Sequence, residues 1–97
     1  MMRRYEWDLI KAEKNIRKHE GITFEDAAVA CDDPLAETRA DRIEHGELRW
    51  RTIGIVEGFL LFVAHTVEEH GDIEVWRIIS ARRTTAKEQR DYEHGQL

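Results

Sequence analysis

The chain has 97 residues, with 15 Lys and Arg against 20 Asp and Glu, and its formal charge of -5 excludes a generic nucleic-acid binder whose whole surface is basic; any anion site must be local. That length suits one domain, 1–97, with one core. A lone cysteine, Cys31, and the lack of a secretory h-region or a membrane-length apolar run point to a protein of the reducing cytoplasm with no membrane role.

Arg4 to Trp7 alternates polar and aromatic residues as a short half-buried strand does, and Asp8 then offers a carboxylate to the free amides of a following helix. In that helix Leu9, Ala12 and Ile16 form an apolar stripe, Lys11, Glu13, Lys14, Arg17 and Lys18 cover the remainder, and Gly21 supplies a left-handed stop. Thr23 caps a shorter helix with Phe24 and the small residues Ala27 to Cys31, and Asp33-Pro34 ends it. Leu35 to Gly46 has mixed charge and weak periodicity, which suggests a short edge strand near 37–40 followed by a mobile loop.

From Glu47 the pattern sharpens into a hairpin, 47–56 and 59–67, turning at Glu57-Gly58. A further turn over 69–72 leads into a strand ending at Ser80. With Val56 opposite Phe59, one face carries Leu48, Trp50, Leu61, Val63 and His65, and the other Arg49, Arg51, Ile53, Leu60, Phe62 and Ala64; both are apolar enough that alternation does not choose the one the helices cover. Thr85 and Glu88 fit a capping box that opens a helix at Ala86, and the chain from residue 92 onward is expected to fray. The elements add up to an α+β domain: an antiparallel sheet of four to five strands, two N-terminal helices and one C-terminal helix. Between 77 and 91, Arg77, Arg82, Arg83, Lys87 and Arg90 outnumber Glu88 and Asp91, so the join of last strand and last helix is locally basic.

Tyr5-Glu6-Trp7-Asp8, Lys11-Ala12, Asn15, Lys18-His19-Glu20-Gly21, Phe24-Glu25, Asp32-Asp33-Pro34, Arg49-Trp50, Ile53-Gly54, Val63-Ala64-His65-Thr66 and Arg77 to Arg83 together resemble the BrnT family of bacterial toxins, over about Tyr5 to Tyr92. Where that family usually reads Lys-His-Gly, Glu20 stands as an extra residue. The resemblance implies a RelE-like fold and a cofactor-free ribonuclease toxin of a type II toxin–antitoxin module. It also implies an RNA substrate, a BrnA-like ribbon-helix-helix antitoxin as partner, and operator DNA reached only through that antitoxin.

A metal-independent ribonuclease activates a 2′-hydroxyl, stabilises the charge that builds on phosphorus and protonates a leaving 5′-oxygen. Arginine suits the second task, since its planar fork holds two phosphate oxygens, so Arg82 leads the candidates, followed by Arg83, Arg49 and Arg77. The competing reading makes them loop-solvating or ion-paired residues. His65 is the acid or base candidate, against the commoner satisfied histidine at a strand end. Lys18, His19, Arg51 and Lys87 are candidates for RNA contact, though basic residues at the end of the first helix also complement its dipole. Tyr92 is either a leaving-group acid or a packing residue, and Trp7, Trp50 and Trp76 either stack bases or fill the core. His19, Cys31, His45, His65, His70 and His94 lack the spacings of structural zinc, so no metal is expected. A rival function is a non-catalytic module that holds an antitoxin and tunes operator binding, its acidic middle segment suiting a basic partner.

Overall fold

In the computed structural model, which describes residues 2–95, the alternating stretches pair into one sheet. Its five strands are β1 (Met2–Glu6), β2 (Glu37–Glu44), β3 (Glu47–Val56), β4 (Phe59–His70) and β5 (Ile73–Arg83), in the order β1-β5-β4-β3-β2. Strands β2 to β5 pair antiparallel in succession, while β1 lies parallel to β5, with Met2 opposite Ile73 and Glu6 opposite Arg77. A parallel pair needs a long crossover, and here everything from the first helix to β4 intervenes.

Strands β2, β4 and β5 exceed their expected bounds, β4 by running on to His70. The stretch read as a short strand and loop is an eight-residue edge strand, β2, joined to β3 through His45 and Gly46. Nearly all its side chains are exposed, so no apolar alternation marks it. Strand β5 runs on past Ser80, with Arg82 opposite Phe62 and Arg83 opposite Leu61, and Ile79 is the extra residue at a bulge. Arg82 and Arg83 therefore point to opposite faces of the sheet, although the sequence sets them side by side at the basic join.

Helix α1 (Leu9–Lys18) is capped by Asp8, whose Oδ1 accepts from the Ile10 and Lys11 amides at 2.8 and 3.0 Å. Of its expected apolar stripe Ala12 packs against the core, while Leu9 is 75% exposed and Ile16 41%. The helix is also held by buried Asn15, whose Nδ2 donates to the Ala81 carbonyl at 2.9 Å while its Oδ1 accepts from the Ala81 amide at 3.0 Å. Because β1 pairs with β5 only as far as Arg77, the Asn15 amide stands in for the missing neighbour strand. At the end of α1, Glu20 takes the left-handed position at φ +53°, and the next amide, Gly21 N–H, bonds to the Ile16 carbonyl at 2.8 Å. That is a Schellman stop with glutamate where glycine is usual, one residue earlier than expected.

Helix α2 (Phe24–Cys31) is capped by the Thr23 hydroxyl, which accepts from the Asp26 amide at 3.0 Å. Phe24, Ala27 and Ala30 pack with Leu61, Val63, Trp76, Ile78 and Ala81, so α1 and α2 cover the face that carries Val63 and His65. Gly54 permits the close approach, since a Cβ there would overlap the Ala30 carbonyl. Helix α3 (Ala86–His94) opens with the Thr85–Glu88 capping box and crosses the other face beside β3. Tyr92 is buried and donates to Asp33 Oδ2 at 2.7 Å, so α3 is ordered through His94; residues 96–97 of the expected frayed tail lie outside the described residues.

Candidate active site

Alternation along β3 and β5 sets four arginines on the face that α1 and α2 leave open: Arg49 and Arg51 from β3, Arg77 and Arg82 from β5. Ala64 lies opposite both Arg51 and Ser80, so small residues floor the space between these arginines.

At one end Glu47 accepts from Arg77 with both oxygens, at 3.1 and 3.2 Å, and lies 3.5 Å from Arg49. The Arg49 side chain is only 15% exposed, and its Nε has no acceptor among the described residues. A buried donor of this kind is costly unless something binds it. At the other end Arg82 grips Glu88 through two parallel bonds of 2.8 and 2.9 Å and lies 4.1 Å over the Phe62 ring. Glu88 thus serves the capping box and Arg82 together, and the Arg82 guanidinium holds its carboxyl below the usual range. Arg51 approaches the same ring at 5.7 Å, and Asp91 lies between it and Lys87, at 4.0 and 3.7 Å.

The edge of this face passes over β5 to the end of α1. Lys18, His19, Glu20, Arg82 and Arg83 line a depression of about 210 Å³, and Lys11, Lys14, Lys18, His19 and Ser80 line a neighbouring one of about 240 Å³. Arg83 lies over Phe59 at 4.3 Å and 3.7 Å from Glu20. Partial burial, then the charges of Lys18 and Arg82, hold the His19 imidazole below its ordinary pKa.

His65 sits on the covered face, 0% exposed and stacked 4.1 Å from the Trp76 ring. Its Nδ1 lies 3.1 Å from the Thr66 carbonyl, which only accepts, so Nδ1 carries the proton and Nε2 accepts from the Thr52 hydroxyl at 2.7 Å. Thr52 in turn accepts from Thr38 at 2.8 Å. Burial pushes the imidazole down to about 4, so it is neutral near pH 7 and sealed from a dissolved substrate.

Residues 7–88 match the family model described as the ribonuclease toxin BrnT of type II toxin–antitoxin systems. The chain belongs to the BrnT family. No curated protein matches it. BrnT membership brings a ribonuclease toxin and a protein antitoxin as its partner.

Of the residues singled out in this BrnT chain, the fold gathers Arg49, Arg51, Arg77, Arg82 and Lys87 on or beside the open face, and sets Lys18, His19 and Arg83 at its rim. His65 falls outside this group, and Trp76 belongs to the core. Sequence reasoning counted Glu88 and Asp91 in the charge balance of 77–91 but did not pair them, or Glu47, with particular arginines. It also passed over Lys11 and Lys14 as RNA contacts; steps of three residues from Lys11 to Lys14 and four from Lys14 to Lys18 place all three on one side of α1. Among the described residues no three His, Cys, Asp or Glu side chains converge as a metal site requires, and no helix is long and apolar enough to cross a membrane.

Proposed function

We propose that this BrnT chain is an endoribonuclease that cleaves RNA by metal-independent attack of the 2′-hydroxyl, and that it arrests translation and growth from the cytoplasm. The carrying observation is the open face itself, where Arg49, Arg77 and Arg82 surround the small Ala64–Ser80 floor and Arg49 Nε lacks an acceptor among the described residues. Guanidinium donors fixed before substrate arrives stabilise charge as it builds on the phosphorane oxygens. In this reading Arg82 leads, Arg49 and Arg77 assist, and Arg51, Lys87, Lys18 and Arg83 hold flanking phosphates. A BrnA-like ribbon-helix-helix antitoxin masks the site and carries the complex to operator DNA. The order of helices around the sheet supports a RelE-like ancestry.

The test is induction of wild type and Arg82→Ala in bacteria, with growth and RNA 5′ ends followed, and cleavage by the purified proteins in chelator. Wild type should arrest growth and cut RNA in chelator, and Arg82→Ala should cut about 100-fold more slowly. Wild type that neither arrests growth nor degrades RNA sinks the reading. One observation favours the rival, non-catalytic module: Arg82 and Arg77 are already held by Glu88 and Glu47, as structural arginines are. Tight antitoxin binding with no cleavage, with or without ribosomes, is the outcome that module expects.

A further inference from the structure

We infer that His19 is the catalytic base of this site, the group that takes the 2′-hydroxyl proton. The inference rests on the ribonuclease reading above.

The position of His19 is fixed from two sides. Its backbone N–H bonds to the Asn15 carbonyl at 2.8 Å, and the Asn15 side chain clamps both polar groups of Ala81, which lies between Ser80 and Arg82 on β5. The left-handed turn at Glu20 and Gly21 then carries the chain away and leaves the ring at the rim. The imidazole shares one cavity wall with Arg82 and another with Ser80, both of which belong to the open face. Among the described residues its ring has no hydrogen-bond partner, whereas both nitrogens of His65 are engaged and His70 Nε2 lies 3.0 Å from Glu68. A base held near the arginine that grips the phosphate, with its ring nitrogens unengaged, is what proton abstraction at that phosphate requires.

The surrounding charges favour the form of the ring that accepts a proton. Lys14, Lys18 and Glu20 face it from its own segment, Arg82 and Arg83 from β5, and Glu88 of α3 stands behind Arg82. Partial burial comes first, and the cations that dominate this set add to it in keeping the imidazole neutral to lower pH than usual. In the step, the 2′-oxygen bonds to phosphorus as its proton passes to His19. The P–O5′ bond breaks with its electron pair on O5′, which takes a proton from water, and the imidazolium neutralises the hydroxide left behind. The products are a 2′,3′-cyclic phosphate and a 5′-hydroxyl end.

The experiment compares wild type, His19→Gln and His19→Gly on naked RNA and on translating ribosomes across a pH series. Wild type should show an acid limb of one proton; His19→Gln should lose about 100-fold in kcat with KM nearly unchanged, and that limb should vanish. Added imidazole should restore part of the His19→Gly activity. NMR titration of the wild-type ring should give a midpoint below 6.5 that rises in Arg82→Ala. Cleavage by His19→Gln within about twofold of wild type, with the same acid limb, overturns this role and leaves the ribonuclease reading standing. Wild type that cuts nothing overturns both. Should His19→Gln fail to fold, the wild-type pH profile decides, and a rate with no one-proton acid limb overturns the inference by itself.

Discussion

The covered and open faces of the sheet are made from alternate residues of the same three strands, and they treat polar atoms in opposite ways. Under α1 and α2 each buried polar group is answered: Thr38, Thr52, His65 and the Thr66 carbonyl form one chain of hydrogen bonds, and Asn15 completes the β5 edge. Among the described residues of the open face the cations exceed their carboxylate partners, and Arg49 keeps a donor without an acceptor. Full satisfaction on one side holds the strands in register; deficit on the other leaves donors for a ligand.

The contrast breaks most readily at Gly54. Gly54→Ala should drive a methyl into the Ala30 carbonyl, lift α2 from β3 and cost about 3 kcal/mol or more in urea unfolding. Wild-type stability would mean that the helix is not seated so closely.

A pH series sharpens the comparison next. His65 titrates near 4 when folded and near 6.5 when unfolded, so on acidification the unfolded chain gains its proton first. Stability is complete above pH 6.5 and should fall by roughly 2 kcal/mol between pH 7.5 and 5. The lowered His19 adds in the same direction, so the measurement is best made in His19→Gln. A flat profile there would show that His65 is not buried and neutral.

Smaller effects belong to the open side. Arg82→Ala, which should slow cleavage about 100-fold, should shift unfolding by no more than about 1 kcal/mol, because its pair with Glu88 is partly solvated. A much larger loss of stability would move Arg82 from the site to the scaffold. Glu20→Gly should stabilise by roughly 0.5 kcal/mol in thermal unfolding, since glycine accepts the left-handed turn without strain. A loss of stability would place the turn elsewhere.

Much of the fold was legible because its signals are local. Asp8, Thr23 and Thr85 announce three helix starts, and Glu57-Gly58 fixes the register that puts Val56 opposite Phe59. The start of β2 was expected as an edge strand, but its run to Glu44 was hidden because an exposed edge has no buried side to pattern it. The end of β5 was hidden because charged Arg82 and Arg83 read as loop. The choice of covered face was illegible too, since it depends on the close seat of α2 at Gly54, a contact between distant residues. The arginines of the site were legible singly. Their grouping followed only once the strands were aligned, and a histidine inside an apolar strand reads alike whether it meets substrate or core.

The parallel seat of β1 against β5 bears on the order in which the molecule comes into being. During synthesis the first strand and α1 emerge without the neighbour on which they will rest, since β5 follows some seventy positions later. Asn15 has no Ala81 to clamp, and His19 no Arg82 beside it, until that strand leaves the ribosome. The seating of β1 and the docking of α1 through Asn15 therefore wait for one of the last strands to be made.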